Sequence, residues 1–337
     1  MRRCVGNLVL SLAIAAVSSP PGFAGTHEPT LAHLVDLFEQ HDYGEARRVL
    51  EALPDELRMT GQCYYYAGRL DLIDGDTDSA VGSFEEAIAL DDEESEYHHW
   101  LATALLRRAV YRSFIGRMGD AMRAVEELRE AIGHDARNLP PRMTLFQIMA
   151  RSPGMGGVTK EDLLQQVSAI AEIDSVMGRV ARGTFFQVVE KDMARAGAEL
   201  RRAFELAPEN RAAAITYSDQ LWESDQRDEA IHVLRRHIEM VPDDKSAHFN
   251  LGVRIIQRQA DPANARAILI ECLSLQSDTG MPSEAMVRWC LGLAHHLLGE
   301  GEAAQREWSM VYEMDGRFDR VLEQNPQMSE LRELIAE

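Results

Sequence analysis

Basic residues are scarce in this 337-residue chain: 35 Lys and Arg stand against 55 Asp and Glu, a formal net charge of −20. The deficit argues against a nucleic-acid binder, which needs a basic face to displace counterions from phosphates. It also disfavours docking on anionic lipid, and no stable membrane insertion is expected once the N-terminal leader is removed. Cysteine is rarer still, at four residues, too few for a disulfide scaffold. Aromatics make up 7% and Gly only 23 positions, which excludes collagen-like and low-complexity classes. No apolar run attains the roughly 20 residues that cross a bilayer. What is present is globular material, 45% hydrophobic and 27% charged. At this length it suits two compact domains or one elongated array.

Arg2 and Arg3 precede an apolar run from Val5 to Val17, and Ser18, Ser19, Pro20, Pro21, Gly22 and Ala24 follow it. A positive start, a short apolar stretch and a small-residue site predict a secretory signal peptide. Residues 1–24 are therefore expected to be cleaved and the product exported, into the periplasm if the cell is Gram-negative. An uncleaved segment that tethers the chain to a membrane is the alternative. Cys4 lies before the run, so lipid attachment is not predicted. Cys63, Cys272 and Cys290 each fall in a helical apolar pattern, where cysteine acts as a small buried hydrophobe. Three free thiols are expected, with a Cys272–Cys290 bridge as the alternative.

One local pattern recurs: alanine, a large apolar residue four later, and a small or apolar residue three after that. It appears as Ala46/Leu50/Leu53, Ala80/Phe84/Ala87, Ala124/Leu128/Ala131, Ala196/Leu200/Ala203, Ala230/Leu234/His237, Ala265/Leu269/Cys272 and Ala304/Trp308/Val311, with a degenerate Leu163/Val167/Ile170. Steps of four then three put all members on one helix face. Alanine lets a second helix approach, and the large residue fills the space beside it. Upstream sit Ala67-Gly68, Leu251-Gly252 and Leu291-Gly292. Glycine inside a helix costs about 1 kcal/mol relative to alanine, so these glycines predict close backbone contact. Gly75-Asp76, Gly299-Glu300-Gly301, Pro208 and Pro242 supply the punctuation between helices.

These residues resemble the tetratricopeptide repeat, a helix–turn–helix unit of about 34 residues. The likeness is clearest at Tyr64…Gly68…Ala80…Phe84…Ala87, at Ala230…Pro242, and at the two Leu-Gly pairs. It implies an all-α solenoid of seven to eight hairpins over residues 25–316, wound as a right-handed superhelix. Residues 317–337 are expected to add a capping helix, because a solenoid otherwise exposes its last apolar face. The pattern breaks at an insertion over 105–123, at a Gly-rich SPGMGG stretch over 152–157, and at His237 and Cys272, where small residues are expected. The SPGMGG interruption resembles one in exported bacterial proteins of this superfamily.

In such arrays the first helix of each hairpin lines an inner groove that holds partners. Counting three before, one after and four after the mid-helix small residue selects Tyr65, Arg69 and Leu72 around Gly68, and Ile215, Asp219 and Trp222 around Ser218. The same rule selects Phe249, Val253 and Ile256 around Gly252, and Trp289, Leu293 and His296 around Gly292. This lining is aromatic and aliphatic. Some relatives clamp a carboxyl terminus there, but only Arg69 and Asn250 could serve here. Two explanations fit this lining equally. One is a groove for an amphipathic helix or extended hydrophobic segment as partner, with Trp222, Phe249 and Trp289 as anchors. The other is a channel filled by tight winding or by the tail helix at 318–335.

The insertion carries Arg107, Arg108, Arg112, Arg117 and Arg123. It predicts either an extended hairpin that grips an acidic partner or lipid head groups through forked guanidinium contacts, or a longer helix that balances nearby acids. Gly154 to Lys160 imitates a phosphate loop, but Thr159 precedes Lys160 and no strand comes before. Thr159 with Asp162 instead predicts a helix start. His98-His99 and His295-His296 cannot chelate one ion from a single helix, since adjacent residues point apart. No nucleophile elbow or metal-ligand spacing appears. The chain reads as a non-enzymatic adaptor with no cofactor, no metal and no nucleic-acid partner. A metal- or cofactor-dependent protein using the histidine doublets or the Gly-rich loop is the competing reading.

Overall fold

The computed structural model describes residues 30–152, 158–277 and 279–334. The segment expected to be a signal peptide and positions 153–157 lie outside them. The described residues form helices and connecting turns, without a strand. Helices pair in chain order: α1 (Leu31–Glu39) with α2 (Tyr43–Ala52), then, after a short turn α3 (Asp55–Arg58), α4 (Gly61–Asp74) with α5 (Thr77–Leu90). They continue as α6 (Ser95–Ala109) with α7 (Phe114–His134), α8 (Leu139–Arg151) with α9 (Lys160–Ile173), and α10 (Ser175–Thr184) with α11 (Met193–Leu206). A π-helical segment, Phe185–Glu190, prolongs α10. The last pairs are α12 (Arg211–Glu223) with α13 (Arg227–Met240), α14 (Lys245–Arg258) with α15 (Pro262–Ser274), and α16 (Glu284–Leu297) with α17 (Gly301–Met314). Two short helices, α18 (Phe318–Gln324) and α19 (Pro326–Glu333), finish the chain. Over the described residues the fold is an all-α solenoid of eight hairpins. The tail differs from the single capping helix expected, because the chain breaks at Asn325, directly before a proline that cannot continue a hydrogen-bonded helix.

Side-chain oxygens start most of these helices. Asp76, Ser113, Asp192, Asn210, Asp244 and Ser283 each accept a backbone N–H from the first turn. Thr159 and Asp162 form the reciprocal box expected at the start of α9. Gly75, at φ +83°, ends α4 in the left-handed region open to glycine.

The recurring triads form the seams. Their alanines and third members, His237 and Cys272 included, are sealed from solvent. Where the first helix carries a mid-helix glycine, the large residue of the triad lies over that notch. A Cβ added at Gly68 would sit 2.8 Å from Phe84, and one at Gly252 would sit 2.8 Å from Leu269. One added at Gly292 would sit 2.3 Å from the indole nitrogen of Trp308. Ser218 plays the same part in α12, where its hydroxyl donates to the Ala230 carbonyl at 3.1 Å. The first repeat departs from the pattern: Val49 is fully buried and Leu50 only half-buried.

The insertion lengthens the third hairpin, so that α7 runs 21 residues. Its inner side meets the far end of the chain. Arg107 donates to the Thr279 carbonyl, Tyr111 to Asp315 at 3.0 Å, and Arg117 to Gln324. Gly280, at φ +68°, presses on the backbone of Ile73, where an added Cβ would lie 2.7 Å from its Cα. The array thus curls until its second and third hairpins touch the loop before α16 and the tail.

Candidate functional site

First helices touch first helices along the array: α4 with α6, α8 with α10, α10 with α12, α12 with α14, and α14 with α16. Their shared face carries the groove positions, which the structure sorts into three groups.

At the N-terminal end, Tyr65 and Arg69 are half-buried. The Arg69 guanidinium stacks 3.8 Å from the ring centre of Trp100 and donates to the Tyr65 hydroxyl at 2.9 Å. Tyr97 lies 5.5 Å from Tyr65. Trp100 completes this cluster and escaped the sequence rule, because α6 carries no glycine notch from which to count. Its indole donates to Glu96 at 3.1 Å. Glu96 also faces His99 at 3.8 Å and accepts from Asn138 at 2.8 Å; against the pull of burial, those contacts hold its carboxyl down to about 2.

In the middle, Asp219, Trp222 and Ile215 of α12 face α14, and none of them is sealed off. Asp219 accepts from Arg254 at 2.6 Å and keeps 38% of its side chain accessible. Its partial burial between the helices outweighs the Arg254 charge and raises its pKa from the ordinary carboxylate value. Arg254 is 5% exposed, stacks 4.6 Å from the Trp222 ring and donates to Gln257 at 3.0 Å. Its Nε has no hydrogen-bond partner among the described residues. Sequence reasoning missed Arg254. It sits two positions after Gly252, a step the counting rule left out.

At the C-terminal end the structure has the channel filled by the tail rather than free apolar anchors. Phe249, Ile256 and Trp289 are buried, as are Val253 and Leu293. They share one core with Phe318, Val321, Leu322, Met328 and Leu331 of the tail. The Cys290 sulfur lies 3.9 Å from that of Met328, and Gln257 donates to Glu330 at 3.1 Å. The tail fills this stretch because it supplies apolar side chains within one chain, where no association entropy opposes them. Leu72 is buried as well. Asn250 caps back onto the Ser246 carbonyl at 2.8 Å, and His296 is exposed beside Trp308.

The arginine island is engaged within the chain. Arg108 makes the forked contact, but with Asp120 of its own hairpin, at 2.7 and 3.0 Å. Arg112 pairs with Asp78 at 2.9 Å, and Arg123 with Glu85 and Glu127. Cys63, Cys272 and Cys290 are free and buried, and desolvation raises all three pKa values, that of Cys272 to about 12. The Cys272–Cys290 bridge is not formed. Among the described residues no three His, Cys, Asp or Glu side chains gather as a metal site.

No family model matches the chain, and no curated protein matches it. Solved structures do resemble it. One is YrrB, described as a TPR protein with an unusual peptide-binding site, at 16% identity, TM-score 0.39, over 59% of this chain and 98% of that one. Another is TTC0263, a thermophilic TPR protein of Thermus thermophilus, at 18% identity, TM-score 0.44, over 58% and 98%. The assignment of this chain as a helical-repeat protein stands on its own stacked hairpins and glycine notches.

Proposed function

We propose that this protein is a non-enzymatic scaffold that holds another polypeptide in the open middle of its groove, and that it does so after export, in assembly or quality control of envelope complexes. The observation that carries the reading is the Asp219–Arg254–Trp222 group. A carboxylate, a stacked guanidinium and a half-covered indole converge on the shared face of the first helices, with charge and an apolar ring available together. A buried Nε without a partner and a desolvated carboxylate are groups that gain from a polypeptide's own donors and acceptors. The partner therefore combines backbone or polar groups with an apolar side chain that rests on Trp222. Export is supported by the leader pattern alone.

A photoreactive residue at position 222 is expected to capture a polypeptide in intact cells. The same residue at the sealed position 289 is expected to capture none. Combining position 222 with Arg254→Gln and Asp219→Asn should abolish the adduct, and an adduct indifferent to both changes would remove the groove from the mechanism. Intact mass of the exported protein tests cleavage of the leader.

A further inference from the structure

Phe114, Ile115, Met118 and Met122 run along the first turns of α7 and are 72%, 82%, 48% and 56% exposed. Spacings of three and four set them on one face. Other exposed apolar residues stand singly, as Leu90, Leu206, Met240 and Met314 do at the ends of second helices. The stripe belongs to the insertion, which is anchored through Arg107, Tyr111 and Arg117 to Thr279, Asp315 and Gln324.

We propose that the tip of the third hairpin is a docking foot for an anionic lipid surface: the Phe114–Met122 face enters the interfacial layer while nearby arginines meet the head groups. Charge supports this partner. Arg117 donates to the neutral amide of Gln324, Arg320 to the Arg112 carbonyl, and Arg317 lies over the Tyr111 ring. Among the described residues none of the three has a carboxylate within ion-pair distance, and Arg317 and Arg320 are exposed. The net charge of −20 belongs to the whole chain, and salt screens its distant parts beyond about 8 Å at physiological strength. A second copy fits poorly. Four partly exposed side chains fall short of the roughly 800 Å² per partner of a stable interface. A bilayer interface accepts a convex apolar tip without a matching surface.

The test places an environment-sensitive fluorophore at Ile115→Cys in the protein without residues 1–24, the other thiols being buried. Vesicles of phosphatidylcholine with phosphatidylglycerol are expected to shift the emission to the blue. Arg317→Gln with Arg320→Gln should weaken partition roughly 30-fold, for two charges at about 1 kcal/mol each. Silence with every vesicle would overturn the proposal. So would an equal response from the same probe at Leu206, or a shift that follows protein concentration without lipid. The groove plays no part in this readout, so either idea can fail alone.

Discussion

His237 stands where the repeat calls for a small residue, and the structure shows what it does there. Its Nδ1 faces the Pro208 carbonyl at 2.8 Å and its Nε2 faces Asp244 at 2.9 Å. Two acceptors on one buried ring require the doubly protonated form. Burial opposes that charge most strongly, but Asp244 and the Pro208 carbonyl outweigh it and raise the pKa. Asp244 is itself held at about 2 by His237 and Arg211 despite its burial. His98 repeats the device, between Glu127 at 2.7 Å and the Asp92 carbonyl at 3.0 Å, also with a raised pKa. A raised folded-state pKa gives stability that is complete below the unfolded value of about 6.5 and is lost as pH rises through the folded one. Urea midpoints should therefore decline above about pH 6.5, and the decline should shrink in the His98→Gln/His237→Gln double variant. An unchanged slope would show that neither ring is charged. Asp244→Ala should cost roughly 3–5 kcal/mol, because it strands a buried cation and removes the cap of α14.

At the scale of elements, the notches decide how closely paired helices approach. Gly292→Ala gains about 1 kcal/mol of helix propensity, but its methyl meets the Trp308 indole, which donates to the Trp289 carbonyl at 3.2 Å. Overpacking of this kind costs about 1–3 kcal/mol, so the variant should unfold at lower urea, whereas Gly82→Ala, in open space, should be neutral or stabilising. The paired helices were largely legible in the sequence, because a 3.6-residue period and a glycine in an apolar helix both report burial locally. Gly183 was not legible. It contacts Leu200 as Gly68 contacts Phe84, but the π-helical run after it displaces the usual turn. Trp100 and Arg254 were missed because they act across a helix–helix seam rather than at a counted position.

At the scale of the whole molecule, the closure between Gly280 and Ile73 and the docking of the tail decide how much of the solenoid's groove is open. Phe318 is fully buried in the C-terminal core, and Phe318→Ala should cost about 3–5 kcal/mol. It should also raise binding of an apolar dye, since Phe249 and Trp289 lose their cover. A variant that loses stability without added dye binding would show that the tail merely abuts the core. Spacing in the sequence established that the chain is helical, that it pairs, and which side of each second helix is buried. Those properties arise from contacts within one hairpin of about 34 residues. Only the tertiary structure decided which stretch of the groove stays open and what the insertion grips. Curvature accumulates from small rotations between repeats, and the partners it brings together, such as Arg107 with Thr279 and Arg117 with Gln324, lie 172 and 207 residues apart.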